Sequence, residues 1–162
     1  MELEHGYLKV LNLTDNSGVY ILELKAIKDF TISNKKFNDK IFLKGYHYYF
    51  GSAQKNLSQR VFRHTQKEKV KHWHIDYLTT NVNILIERVF IFKGLSKIYE
   101  CILAEKLLNN FETQHTIANF GNSDCSKCKS HLWYSVNQLN YSHLCSLYQS
   151  TVLFIPSSKD IC

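Results

Sequence analysis

The run "NILIERVFIF" at 83–92 constrains the fold more than any other stretch of the chain. It is apolar on both parities, and alternate residues of a strand point to opposite faces. A strand of this kind must be covered on both sides, which calls for helices or loops above and below a sheet. Two further runs fit beside it. "GVYILELK" at 18–25 is β-branched and aromatic behind a glycine, and "GYHYYFG" at 45–51 is a second aromatic strand. Helical patterns alternate with these strands. One spans roughly 57–67, with Asn56 as its cap and Leu57 and Val61 on its apolar side. A short one covers "HWHIDYLTT", and a third runs from about Lys97 to Phe111. The connection at 26–44 is polar, with "DFTIS" as a possible short edge strand. After the third helix come the loop "IANFGNSDCSKCKS", the segment "HLWYSV", and a tail without a clear pattern from 137 on. The expected class is therefore α/β in its α+β form.

Composition narrows the setting. At 162 residues, 44% hydrophobic and 21% charged, the chain is expected to form a single globular domain. No apolar run approaches the roughly 20 residues of a membrane span. The start "MELEHGYLKVLNL" carries acids where a secretory signal wants an uninterrupted apolar core. Five cysteines is an odd count, so a reducing cytoplasm with free thiols is the expected location.

Charge points to a partner. The balance is +6, and Lys55, Arg60, Arg63, Lys67, Lys69 and Lys71 face only Glu68 between residues 55 and 74. Nearly the whole excess sits in that window, and a concentrated positive field suits a polyanion. A merely solvated helix face is the plain alternative. Within the window, positions 60, 63, 64 and 67 share one helical face. Arg60, Arg63, His64 and Lys67 would then repel one another unless an anion, such as a phosphodiester backbone, lay along them.

One carboxylate stands out. With Glu100 as origin and about 100° per residue, Ala104, Leu107, Leu108 and Phe111 all fall within about 80° of it. Glu100 thus lies in an apolar stripe, where it needs an ion pair, hydrogen bonds or a metal. An arginine partner is the commoner solution, and a metal the more interesting one.

These residues match a pattern. "GVY" at 18–20, "YFG" at 49–51, Arg60 with His64 four residues on, and Glu100 resemble, in order and spacing, the GIY-YIG nuclease superfamily. The strings "GYHYYFGSA", "RVFRH", "HWHIDYL", "ECILA" and "FGNSDC…SHLWY" resemble its DUF123 subfamily, which also occurs fused to endonuclease III-type repair enzymes. The resemblance runs from Gly18 to about Tyr134. It implies a small central three-stranded antiparallel or mixed sheet flanked by helices, with a core at about 18–134 and a C-terminal extension at 135–162. It implies Tyr20 and Tyr49 on adjacent strands, Arg60 as catalytic arginine, His64 as its following histidine, and Glu100 as the single metal-binding glutamate. The implied reaction is phosphodiester hydrolysis with one Mg2+ or Mn2+.

The chemistry suits those residue types. Tyr20 would orient or deprotonate a water, but a phenol with an ordinary pKa near 10 acts as a base near neutrality only if cations lower it. Arg60 would hold the phosphate, and the ion on Glu100 would favour the leaving oxygen. Lys55, Arg63, Lys67, Lys69 and Lys71 are the expected nucleic-acid contacts. His72, His74, Ser123 and Asp124 are candidates to line the site, with Asp76 anchoring its segment by hydrogen bonds. Trp133 and Tyr134 read as core.

Cys125, Cys128 and His131 have zinc-ligand spacing, but a closed site needs a fourth ligand and no second knuckle is evident. The expected activity is that of a cytoplasmic endonuclease in DNA repair or processing, monomeric or weakly dimeric. Its preference would be for branched, damaged or single-stranded DNA, because the chain outside the motifs is too short for a separate reading domain. RNA stays open as a substrate. Two alternatives are a non-catalytic nucleic-acid-binding domain of the same fold and a small zinc-stabilised interaction protein.

Overall fold

The computed structural model describes residues 16–110, 114–115, 117–140, 142, 144, 148 and 151–154. Three long strands form the body of one sheet: β1 (Gly18–Ala26), β2 (Gly45–Ala53) and β3 (Ile84–Lys93). β1 is central and pairs antiparallel with both neighbours. The expected count of three is too low. β5 (Leu132–Ser135) adds to β2, and the short β4 (Gln114–His115) and β6 (Thr151–Phe154) extend the edges. The order is β4-β5-β2-β1-β3-β6, antiparallel at every pairing. Sequence reading missed the extra strands because two to four residues are too short to show an alternation.

Both faces of the sheet are covered, as the apolar runs require. On one face Tyr20, Leu22 and Leu24 pack with Leu57, Val61, Ile75 and Leu78. These last four come from α1 (Leu57–Thr65) and α2 (His74–Thr79). On the other face Val19, Ile21, Phe90 and Phe92 pack with Leu103, Ala104 and Leu107 of α3 (Tyr99–Asn110). Each such aliphatic or aromatic side chain contributes about 1.5–3 kcal/mol of burial. The first half of β3 departs from expectation: Leu85, Ile86 and Glu87 are only half-buried, and full two-sided burial begins at Arg88.

Two polar arrangements hold these layers in register. Glu23 is wholly buried on the face of β1 that carries Val19 and Ile21. Left alone it would cost several kcal/mol. Arg88 donates to it through Nε at 2.7 Å and also through Nη2, Tyr48 donates its hydroxyl at 3.0 Å, and Gln138 donates at 2.8 Å. Gln138, Leu139 and Leu144 lie in the 135–162 stretch, so this presumed extension packs onto the sheet. The second arrangement caps α1. Asn56 is in the left-handed region (φ 55°) and its side chain makes no capping bond. Asn16 takes that role instead, its Oδ1 accepting from the Ser58 backbone N–H at 3.0 Å and hydroxyl at 3.1 Å. A cap supplied from so far upstream leaves no local sequence signature.

Smaller differences follow the same logic. "DFTIS" makes a single bridge, Phe30 to Phe42, with the two rings stacked 5.1 Å apart. α1 stops at Thr65, where the chain turns extended at Gln66. Phe111, placed on the apolar stripe of the third helix, lies outside the described residues, as does the side chain of Leu108. Among the described residues no helix is long and apolar enough to cross a membrane.

Candidate active site

The two motif tyrosines sit on neighbouring strands and face the same way. Tyr20 on β1 lies opposite Gly51 on β2. Its ring crosses over that glycine so closely that a Cβ there would stand 2.5 Å from the phenol. Gly51 is thus fixed by a close approach rather than by a turn. Tyr49, two residues back on the same face of β2, lies against Gly121, where a Cβ would come within 2.7 Å of its ring. Gly121 also has φ +72°, so the turn that seats Tyr49 favours glycine twice over.

α1 supplies the next pair. His64 is 1% exposed, and its Nε2 lies 2.8 Å from the Tyr20 hydroxyl. Burial first, then the charges of Lys69 and Arg63, push its pKa down to about 3, so the imidazole is neutral at pH 7. His64 is therefore not a cation of the stripe, which corrects that expectation. Arg60 stands one turn earlier, donating Nη1 to the Ser52 carbonyl at 3.3 Å. Its guanidinium stacks on Trp73, 4.7 Å from the ring centre, and Arg63 stacks on the same indole at 4.5 Å. Stacking fixes a guanidinium without using up its N–H donors.

α3 brings Glu100 to the same hollow in its first turn. Glu100 is 7% exposed as a residue. Burial raises its pKa, while a hydrogen bond from the Ser52 hydroxyl and the charges of Lys97 and Arg60 pull it back. His131 Nδ1 lies 3.5 Å from Oε2, but burial lowers the pKa of that imidazole as well. Among the described residues no arginine or lysine forms an ion pair with Glu100, so the commoner rescue is not used here. Tyr20, Tyr49, Arg60, His64, Trp73 and Glu100 all line one cavity of about 400 Å³.

The phenols defy one expectation. Nearby cations were to lower the pKa of Tyr20, and the reverse holds. Burial raises it well above its ordinary value, Tyr49 adds to the rise, and the opposing pull of Arg60 is smaller. Tyr49 is raised too, by burial and then by Glu100. Both are neutral phenols at rest.

Most of the basic window is engaged inside the protein. Arg63 grips Asp76 with two nitrogens, at 2.7 and 3.0 Å. Lys67 Nζ donates to the carbonyls of Thr79, Asn81 and Ile84, and Lys69 Nζ to those of Arg63 and His64 and to the Thr79 hydroxyl. These three bind the α1–α2 corner to itself. Lys55 and Lys71 remain exposed. Asp76 anchors its segment as expected, accepting also from the backbone N–H groups of His72 and Trp73. Burial alone would raise its pKa, but Arg63 and those N–H groups bring it down to about 2.

The remaining candidates divide. Asp124 lines the cavity and pairs with Lys97 at 3.2 Å. Ser123 is exposed and is not among the lining residues. His74 takes a structural role, its Nδ1 accepting from the Gly121 N–H at 3.3 Å while its ring packs on Phe37 and Phe120. His72 is exposed and away from the cavity lining. Trp133 and Tyr134 are core, as read. Three contributors were missed. Trp73 sits between two histidines that drew attention from it, Ser52 lies one residue past the tyrosine motif, and Cys101 follows Glu100 and faces Cys125, Cys128 and His131.

The family described as "Domain of unknown function DUF123" matches residues 19–152. The chain belongs to the DUF123 family. No curated protein and no solved structure gives a significant match. In this DUF123 domain the matched span runs from β1 into β6, so much of the 135–162 stretch belongs to the family unit.

Proposed function

We propose that this DUF123 domain is a metal-dependent endonuclease of the GIY-YIG type that hydrolyses phosphodiester bonds in DNA, in repair or processing. What supports the reading is one observation: two strands and two helices deliver Tyr20, Tyr49, Arg60, His64 and Glu100 to a single hollow. Cores bury tyrosines routinely, but they do not gather a phenol–imidazole pair, a stacked arginine and a carboxylate without an arginine or lysine partner among the described residues.

The donor set suits a hard divalent cation. Glu100 offers carboxylate oxygens in a half-open hollow, and one carboxylate with several waters is the usual magnesium arrangement. When bound there, Mg2+ or Mn2+ supplies Lewis-acid stabilisation of the leaving oxygen. Arg60 takes a non-bridging phosphate oxygen with the N–H groups left over from Ser52, held in plane by Trp73. Tyr20 is a neutral phenol that orients the attacking water through its hydroxyl oxygen, its own proton held by His64 Nε2. As the water oxygen bonds to phosphorus, the water's proton passes to solvent in the hollow, because an imidazole with a pKa of about 3 is too weak a base to keep it. The bond from phosphorus to the leaving oxygen breaks as that proton moves away. With Nε2 as acceptor the imidazole carries its own hydrogen on Nδ1. Tyr49 lines the same hollow as a neutral phenol seated against Gly121.

The test is a panel of end-labelled single-stranded, duplex and branched DNA, with RNA alongside, incubated with Mg2+, Mn2+ or chelator. Metal-dependent cutting of at least one DNA supports the reading. Binding without cutting in either metal supports a nucleic-acid-binding domain instead. Cutting of RNA alone would keep the chemistry and change the substrate.

A further inference from the structure

Three cysteines and a histidine meet beside the hollow without taking part in the proposed hydrolysis. Cys101 comes from the first turns of α3, while Cys125, Cys128 and His131 come from the loop ahead of β5. Their four ligand atoms all lie within 4.8 Å of one another. Cys101 Sγ is 3.0 Å from Cys125 Sγ and 3.7 Å from His131 Nε2, and it is paired with Cys128 as a disulfide. A disulfide accounts for two sulfurs. It gives no reason for a third sulfur and an imidazole nitrogen to converge on the same point.

We propose that in the reduced chain Cys101, Cys125, Cys128 and His131 form a closed tetrahedral zinc site. Zinc with bonds of about 2.3 Å to sulfur and 2.0–2.1 Å to nitrogen sets ligand-to-ligand edges of about 3.5–3.8 Å. The Cys101–His131 pair, at 3.7 Å, already has that spacing, and the sulfurs stand closer than it, so they need only move apart once the disulfide is reduced. Cys101 is the ligand that the sequence could not supply, because it lies on a different element from the Cys-x2-Cys-x2-His run. Two details match the surroundings of bound metals. The Cys128 backbone N–H points at Cys125 Sγ at 3.4 Å, a bond that favours a thiolate. His131 turns Nε2 to the sulfurs and Nδ1 to Glu100, the carboxylate–histidine–metal order that fixes a ligand's tautomer.

On binding, each of the three thiols loses its proton to solvent as a zinc–sulfur bond forms, with no change of oxidation state. Four protein ligands leave no open position, so the metal is structural and not hydrolytic. Its effect is to pin the first turn of α3, and with it Glu100, to the loop that carries Gly121.

The experiment uses the full chain purified with reductant and without chelator. Elemental analysis is expected to find equimolar zinc. Cobalt(II) in its place should give the intense visible bands of a tetrahedral site and thiolate charge-transfer absorption. Cys125→Ser should bring bound metal to background. Should that variant fail to fold, the cobalt spectrum of the wild-type chain decides alone. A zinc-free reduced chain without that cobalt spectrum overturns the proposal. So does a Cys101–Cys128-linked peptide that persists in chain prepared under reductant. Metal content is read without any cleavage assay, so this result stands apart from the endonuclease reading.

Discussion

Tyr20 and Gly51 show how far a single residue can decide the site. The phenol reaches His64 only because no side chain occupies position 51, and a Cβ there would overlap the ring at 2.5 Å. Gly51→Ala should therefore cost roughly 1–3 kcal/mol of stability and abolish cleavage, because Tyr20 must leave its rotamer or β2 must shift. A thermal melt beside a cleavage assay separates the two losses. Tyr20→Phe makes the opposite combination. It forfeits one hydrogen bond, about 1 kcal/mol, and is expected to cut about 100-fold or more slowly while melting close to wild type. The identities of these residues were legible in the sequence; their protonation was not. A tyrosine beside an arginine invites a lowered pKa, yet the cost of desolvating the phenolate exceeds the benefit of that cation. Burial is a property of the folded chain, and linear spacing carries little of it.

At the scale of elements, the α1–α2 corner is a polar knot that linear spacing does not reveal. Lys67 lies past the end of α1, where Gln66 is extended, so it is not on the helical face expected of it, but the spacing of Arg60, Arg63 and His64 within α1 was read correctly. What lay on the other side of that face was not, because Asp76 and the carbonyls of residues 79–84 come close only after the chain folds back. Asp76→Ala would leave the Arg63 guanidinium and two backbone N–H groups without an acceptor. A loss of roughly 3 kcal/mol is expected, measurable by denaturant unfolding. Strands with long apolar runs and helices with clear stripes were legible to within a few residues. The short strands β4, β5 and β6 and the cap from Asn16 were not, since each rests on a partner distant in the chain. Asn16→Ala should cost about 1 kcal/mol, read in the same experiment.

The whole molecule combines a field and a titration. Arg63, Lys67 and Lys69 are committed internally, so Arg60, Lys55 and Lys71 are the cations of the basic window left to meet a backbone. The logarithm of DNA affinity should then fall with the logarithm of salt at a slope of roughly −3, about 0.9 per phosphate neutralised. Acid sensitivity follows from His64. Its folded pKa of about 3 lies below the ordinary 6.5, so below pH 6.5 the unfolded chain takes up a proton that the folded chain refuses. Stability present above pH 6.5 is lost progressively as pH falls towards 3. Asp76, depressed from 3.8 to about 2, adds a further loss below about pH 4. Melting temperatures from pH 8 to 4 should decline for the wild type and decline less for His64→Leu. The measurement that bears most directly on the proposed hydrolytic site compares wild type and Glu100→Ala at matched thermal stability, by single-turnover cleavage in Mn2+ and by DNA binding in chelator. The expected result is unchanged binding with cleavage reduced to the chelator background. Equal cleavage by the two proteins would contradict the site described here.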